Sequence, residues 1–120
     1  MAPKEKFNIG ATSALKDSTM AQWLASPISG DLKDVPGVGP AGIEKFKANG
    51  IQNTHQLIGQ FLLFKGDDLN TQDHLDLFYK WLADIGISAH RAGVVWSVAE
   101  KVSTFLPGLV NKDDLDPPDN

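Results

Sequence analysis

One glycine-rich stretch, Val35-Pro36-Gly37-Val38-Gly39-Pro40, restricts the fold of this chain more than any other segment. A run of helix-forming residues, 41–51, follows it directly. We expect a tight turn that leads into a helix, with Gly37 and Gly39 in backbone conformations that other residues would find strained. Pro40 suits the first turn of such a helix, where its missing N–H removes no hydrogen bond. The stretch therefore predicts a hairpin between two helical segments.

The helix behind this turn has a defined end and an open beginning. Gly50 suits the left-handed residue that closes a helix, and Ile51 would pack back against the last turn. The first N–H groups of the helix have no partners within it and lie at the positive end of its dipole, so they offer an anion site. Over residues 32–51 the pattern resembles the helix-hairpin-helix motif, whose Gly-hydrophobe-Gly turn binds a nucleic-acid phosphate.

Length and composition limit the remaining classes of protein. A chain of 120 residues with 42% apolar residues indicates one globular domain with a small core. The absence of cysteine excludes a disulfide framework and any cysteine-based metal site. No apolar run has the length of a membrane span, and residues 1–10 lack the apolar region of a secretory signal, so we expect a nuclear or cytoplasmic protein without membrane insertion. A net charge of −4 argues against coating DNA through bulk positive charge.

Apolar residues recur at intervals of three and four along most of the chain, and no alternating pattern indicates a strand. The sequence therefore predicts an all-α fold, a compact bundle of about five helices. Ser88 is expected to cap the last helix, and Asn70 or Thr71 the helix before it. We expect a flexible N-terminal arm, a helical domain and a disordered acidic tail, which cover residues 1–15, 16–108 and 109–120. The expected helices span residues 17–26, 40–49, 54–65, 71–85 and 89–105.

Several short motifs recur, with the hairpin, in one known family. They follow the order and much of the spacing of the barrier-to-autointegration factor family, which the chain resembles over residues 23–106. One insertion falls near residues 70–73 and a shorter one precedes the hairpin. The motifs are Gly37-Val38-Gly39, Lys45 with Gly50-Ile51, Gly59-Gln60-Phe61-Leu62, Leu77-Phe78-Tyr79-Lys80-Trp81-Leu82 and Gly86-Ile87-Ser88-Ala89.

This resemblance implies a SAM-like fold and a small non-enzymatic protein of the nucleus and cytoplasm that needs no cofactor. It implies a homodimer in which each subunit binds double-stranded DNA without sequence preference, so that the dimer bridges two duplexes. It also implies a groove between the subunits that docks LEM-domain proteins. A dimer also accounts for Tyr79, Trp81 and Trp96, which exceed what one apolar face per helix can bury. Glu44 and Gly93 replace basic residues of the family, so the hairpin is expected to carry more of any DNA affinity.

Two groups of residues form the candidate DNA-binding site. The first hairpin would donate backbone N–H groups to a phosphate, and Lys45 would add a positive charge one turn further along the helix. The turn at Gly86 repeats the hairpin in weaker form and would provide a second contact. No side chain in either turn is placed to read bases. The predicted site residues are Gly37, Val38, Gly39, Pro40, Ala41, Lys45, Ser88, Ala89, His90 and Arg91.

Other interpretations of the same residues stay open. The chain is alternatively a helical protein–protein interaction module whose hairpin is purely structural. His55 and His74 lack partners at metal-ligand spacing, and the aspartates of residues 67–76 fit a solvated loop better than a magnesium site. We expect no metal and no enzymatic activity, since the chain is too short for the base pocket of a DNA glycosylase. The sequence leaves open whether the hairpin carbonyls hold a monovalent cation.

Overall fold

The computed structural model describes residues 6–14 and 17–117 of the chain. Within these residues it contains five α-helices, three short 3₁₀ helices and no strand, which confirms the predicted all-α fold. None of the described helices is long and apolar enough to cross a membrane. In chain order the α-helices are α1 (Asp17–Ala25), α2 (Pro40–Ala48), α3 (Thr54–Leu63), α4 (Thr71–Asp84) and α5 (Arg91–Ser103), and the 3₁₀ helices cover Ile9–Ala14, Leu32–Asp34 and Lys112–Asp114.

Helix α5 forms the centre of the core because its apolar residues cover more than one face. It packs against α1, α3, α4 and the first 3₁₀ helix. Beside it, aromatic rings join α3 to α4: Phe61 meets Phe78 edge to face with 5.2 Å between ring centroids, and Phe78 stacks on Trp81 at 5.7 Å. Burial of this apolar surface is the main driving force for folding. The fully buried apolar residues of α5 are Val94, Val95, Val98, Ala99 and Val102.

Helices α2 and α4 end in the same left-handed turn. Gly50 has a φ of 85°, and the N–H of the residue after it donates to the carbonyl of Phe46 at 2.9 Å. Gly86 has a φ of 97°, and the N–H of the residue after it donates to the carbonyl of Leu82 at 2.9 Å. Both turns satisfy carbonyl groups that the helix end leaves free. The predicted role of Gly50 is therefore confirmed.

The carbonyl end of α1 is held by a lysine of α5. The Lys101 ammonium is buried and donates to the carbonyl of Trp23 at 2.7 Å and to the carbonyl of Ser26. The indole N–H of Trp23 donates in turn to the carbonyl of Ser97 at 2.9 Å. Burial lowers the pKa of Lys101, because it disfavours the charged amine. The carbonyl acceptors and the negative end of the α1 dipole oppose that effect and fix α1 against α5.

The N-terminal segment packs against the helical domain, although residues 1–15 are expected to form a flexible arm. Phe7 is 1% exposed and belongs to the apolar core. Its backbone N–H donates to the carboxylate of Asp76, which lies 69 residues later in the chain. The apolar residues around Phe7 have no helical spacing. Phe7 is buried by residues far away in the sequence, such as Trp96, so its own neighbours in the chain do not predict its burial. Residues 1–5 and 15–16 of the expected arm lie outside the described residues.

The C-terminal segment also lies on the domain as far as residue 117, although a disordered tail is expected over residues 109–120. Leu115 packs against the core. The backbone N–H of Asn111 donates to the hydroxyl of Thr71 at 2.7 Å, and the carboxylate of Asp114 accepts the N–H of Thr71 at 3.0 Å. These bonds supply partners for the start of α4, which explains why an acidic segment orders there. Residues 118–120 lie outside the described residues.

Candidate functional site

The two glycine turns of the chain lie side by side and form the walls of one groove. The first turn joins the second 3₁₀ helix to α2, and the second joins α4 to α5. The groove between them has a volume of about 280 Å³. Every residue of the predicted site lines it except Arg91. The lining residues that were not predicted are Gly42, Phe46, Gly86, Ile87 and Val94.

The first turn requires glycine at only one of its two glycine positions. Gly37 has a φ of 92°, and a Cβ atom there would lie 3.0 Å from Cγ2 of Val94 and 3.4 Å from the carbonyl oxygen of His90. Gly39 has a φ of −105°, and a Cβ atom there would meet nothing within 4 Å beyond its own neighbours in the chain. The expected strained backbone is therefore confirmed for Gly37 and wrong for Gly39. Gly37 allows the turn to touch the start of α5, whereas Gly39 leaves open space at the groove.

Side chains from the first turn and from α2 contact the second turn. A Cβ atom at Gly86 would lie 3.2 Å from both Cδ and Cε of Lys45, so the lysine stem runs across this glycine. Each turn has one apolar residue that approaches Gly42. A Cβ atom at Gly42 would lie 3.6 Å from Cγ1 of Val38 and 3.6 Å from Cδ1 of Ile87. Both apolar side chains are thus at van der Waals distance from this position of α2.

Helix α5 begins later than expected. Its N-cap is His90, with a φ of 58° and a ψ of 28°, and not Ser88. Among the described residues other than glycine, His90 is the only one with positive φ, a conformation that costs about 1–2 kcal/mol. Its carbonyl oxygen accepts the N–H of Val94 at 3.0 Å and lies beside Gly37. The prediction of Ser88 as the cap is therefore wrong, because the chain turns at His90 to bring α5 against the first hairpin.

The two helices that begin at the groove lack the side-chain caps that α3 and α4 have. Helices α3 and α4 begin after Asn53 and Asn70, and each asparagine oxygen accepts a backbone N–H of the first turn at 2.9 Å. Helices α2 and α5 begin after Gly39 and His90, and neither residue caps its helix with a side-chain hydrogen bond. Neither N-cap residue therefore accepts a hydrogen bond from the first N–H groups of its helix, and these starts are the positive ends of two helix dipoles. This arrangement favours an anion in the groove.

Two basic residues stand at the turns. Lys45 is exposed and lies across the second turn. Arg91 is the first residue of α5, and its guanidinium carbon lies 4.5 Å from the centre of the Tyr79 ring, a cation–π contact. Much of the remaining groove wall is apolar, since Phe46 and Val94 line it. An anionic ligand would therefore meet backbone N–H groups and a single lysine in the groove, with Arg91 at the adjoining helix start.

No metal centre is found in the part of the chain that the structure describes, since no three histidine, aspartate or glutamate side chains are grouped to hold an ion. His74 is fully buried, and its Nε2 lies 2.8 Å from the carbonyl oxygen of Phe61. Burial lowers the pKa of His74, so the ring is neutral at pH 7 and donates its Nε2–H to that carbonyl. Asp76, one of the aspartates weighed as a magnesium ligand, instead accepts hydrogen bonds from Phe7 and Gln72.

One of three comparisons with known proteins finds a match for this chain. The model of one family, described as barrier to autointegration factor, matches residues 18–105, a span that holds both turns and all five α-helices apart from the first residue of α1. Neither a search of curated proteins nor a search of solved structures finds a match. Because the matched span is well over half of the chain, the protein belongs to the barrier to autointegration factor family.

Proposed function

We propose that this protein binds double-stranded DNA without sequence preference, through the backbone N–H groups of its two glycine turns. The observation that carries the proposal is the convergence of two helix starts without side-chain caps on one groove. Membership of the barrier to autointegration factor family, whose members are small non-enzymatic DNA-binding proteins, supports the same ligand. The ligand atoms in the groove would be phosphate oxygens.

The proposed contact uses main-chain donors more than side-chain charge. The starts of α2 and α5 direct their dipoles toward the groove, so each helix favours negative charge there. Lys45 adds a point charge, and its stem is held across Gly86. Donors of this kind position a phosphate but carry no information about the base attached to it. The groove therefore accounts for binding to DNA of any sequence, in a chain whose net charge is −4.

We further propose that two copies of the chain form a homodimer that bridges two duplexes. The aromatic residues first invoked for an interface do not support it, because Tyr79, Trp81 and Trp96 pack against the core of their own subunit. The support comes from exposed apolar side chains at helix ends, above all Leu63 at 78% exposure and Phe105 at 47%. Two subunits would raise avidity for DNA without any new contact. Light scattering tests the dimer, since a concentration-independent mass near 13.0 kDa contradicts it.

The family membership also supports a nuclear and cytoplasmic location and docking of LEM-domain proteins between the subunits as part of the same proposal. The docking of LEM-domain proteins requires the dimer, because it takes place between the subunits. The second candidate function, a helical protein–protein interaction module with a structural hairpin, is favoured by the net charge of −4. It predicts no affinity for duplex DNA even when salt is low, which makes the two functions separable in one titration.

A charge placed in the groove tests DNA binding directly. In Gly39→Glu the new carboxylate projects into open space at the start of α2, so the fold should tolerate it while phosphate is repelled. We expect at least a tenfold loss of affinity (about 1.4 kcal/mol) for a short duplex at about 50 mM salt, and weaker binding of both proteins at about 200 mM salt. Fluorescence anisotropy of a labelled duplex measures both.

The matched control is Thr104→Glu, which changes the net charge by the same amount. Thr104 is the C-cap of α5, and the helix has 13 residues, so it lies about 20 Å from the groove at the other end. We expect the control to bind DNA nearly as well as the unmodified protein. Equal losses in the two variants, or no binding by the unmodified protein at low salt, would refute the proposed site.

A further inference from the structure

One phenylalanine near the N-terminus is bound by the domain as a ligand would be. Phe7 is 1% exposed, and its ring stacks on that of Trp96 in α5 with 6.0 Å between centroids. The segment that follows it, the 3₁₀ helix Ile9–Ala14, packs along α5. The aromatic anchor therefore enters a site formed by elements far away in sequence, rather than completing a helix of its own.

The backbone of the same residue is held at both of its polar groups. The N–H of Phe7 donates to Oδ1 of Asp76 at 2.8 Å, and its carbonyl accepts from Nε2 of Gln72 at 2.7 Å. Gln72 and Asp76 are one turn apart on α4, and the Gln72 amide also donates to the Asp76 carboxylate at 2.8 Å. Gln72 is itself 5% exposed. Two side chains that are hydrogen-bonded to each other thus bind the main chain of a segment without regular secondary structure, and main-chain hydrogen bonds are how many peptide-binding sites gain affinity.

The C-terminal segment closes over this contact. The N–H of Asp116 donates to Oε1 of Gln72 at 2.8 Å, so the one glutamine holds both ends of the chain. The Lys6 ammonium lies 3.5 Å from the Asp116 carboxylate, and the Asn8 amide donates to the carbonyl of Pro117 at 3.3 Å. The tail therefore contacts both the N-terminal segment and α4.

The residues that form this contact lie partly inside and partly outside the span that matches the family. Trp96, Gln72 and Asp76 lie inside the span 18–105 that matches the family, whereas Phe7 and Asp116 lie outside it on opposite sides. Trp96 and Asp76 therefore lie in the helical domain that the family model matches, whereas Gln72 falls in the insertion near residues 70–73. The occupant of the site and its cover come from the segments on either side of the matched span.

We propose that the face formed by α4 and α5 is a peptide-binding site, which takes a segment anchored by one phenylalanine and which residues 6–8 of this chain occupy in cis. The ligand class is a peptide whose phenylalanine has a free backbone N–H and carbonyl for Asp76 and Gln72. A tethered segment acts at an effective concentration in the millimolar range, so the site excludes a free peptide while the cis segment is docked. The proposal is independent of DNA binding.

Peptide complementation tests the proposal in the full-length chain. The variant Phe7→Ala empties the anchor position, and a synthetic peptide with the sequence of residues 6–14 is then added in trans. We expect the labelled peptide to bind the variant at least tenfold more tightly than it binds the unmodified protein, whose site is occupied. The same peptide with alanine in place of Phe7 should bind the variant more weakly by a factor on the order of 100, because it buries no ring.

A second variant distinguishes specific binding at this site from nonspecific binding of the peptide to apolar surface. In Phe7→Ala combined with Gln72→Leu, the apolar bed remains but the amide that binds the peptide carbonyl is gone, and we expect peptide binding to be lost. If Phe7→Ala alone is unfolded, the peptide must restore its helical circular dichroism. Equal binding of the two peptides, equal binding by the filled and emptied proteins, or an unfolded variant that the peptide fails to refold would each overturn the proposal.

Discussion

Alanine substitutions at Gly37 and at Gly39 should have different effects, one mainly on the stability of the fold and the other mainly on DNA binding. The two glycines are two residues apart, and both line the groove. Their surroundings differ completely, since a Cβ atom at Gly37 would press on Val94 and on backbone, whereas one at Gly39 would stand in open space. Gly37→Ala should therefore unfold more easily, while Gly39→Ala should keep most of its stability and bind DNA less well.

The expected magnitudes follow from the backbone angles and the nearest atoms. At Gly37 a φ of 92° costs a side chain about 1–2 kcal/mol, and a Cβ atom 3.0 Å from Cγ2 of Val94 adds overpacking of about 1 kcal/mol or more. The total of about 2–3 kcal/mol corresponds to a fall in Tm on the order of 10 °C. At Gly39 the φ of −105° suits alanine, so no backbone strain is added; alanine is a poorer N-cap than glycine, and the loss of unfolding free energy should stay within about 1 kcal/mol.

Thermal unfolding followed by circular dichroism and duplex titration by anisotropy, on the same three proteins, measure the two effects. For Gly39→Ala we expect a Tm that falls by only a few degrees and a several-fold weaker affinity, because the methyl group occupies the space that a phosphate would enter. Equal destabilisation of the two variants would show that the turn does not use its glycines in different ways. A destabilised Gly37→Ala that still bound DNA normally at low temperature would leave the steric reasoning intact, whereas an unchanged Tm for it would refute that reasoning.

Two further predictions concern single charges. Lys45→Gln keeps most of the stem that covers Gly86 but removes the ammonium, so log K for duplex DNA plotted against log salt should lose about 0.9 of its slope; an unchanged slope would exclude Lys45 from the phosphate contact. His74 has a lowered pKa in the fold because it is buried, so between that pKa and 6.5 the unfolded chain binds the extra proton. The stabilisation is fully present above pH 6.5 and declines as the pH falls through this window, by at most about 1.4 kcal/mol per pH unit. Urea unfolding across the window should show a smaller decline for His74→Gln, and identical pH profiles would contradict the assignment.

The helices and most of their ends could be predicted because their signals are local. The three- and four-residue apolar spacing places all five helices, and Asn70 caps α4 as its side chain allows. Gly50 and Gly86 close their helices with positive φ, and Pro40 opens α2 at its first position. Each of these features depends on residues within a few positions of one another. The similarity of the two turns predicted a second contact point, and the structure places nine of the ten predicted site residues in one groove; their role in DNA binding stays a prediction.

The features that sequence did not reveal depend on contacts between distant residues. Phe7 is buried by side chains of α4 and α5, and the residues near Phe7 in the sequence do not predict these contacts. The start of α5 shifts to His90 because the first turn packs against it, so the local preference of Ser88 for a cap is overruled. Gly39 shows the reverse case, in which a glycine stands where the backbone needs none. The lack of a side chain at Gly39 matters because it leaves space at the groove, since its φ is one that other residues also adopt.

The buried amine of Lys101, which joins α5 to the end of α1, can report chemically on the opening of that junction. Reagents that acylate lysine attack the neutral, solvent-accessible amine, and Lys101 is buried with its hydrogens directed at the carbonyls of Trp23 and Ser26. Lys47 and Lys80, by contrast, are exposed and open to immediate modification. The acylation rate of Lys101 relative to theirs therefore reports how often α1 detaches from the folded domain. Mass spectrometry of proteolytic peptides, taken after different modification times, can follow that local opening without any engineered label.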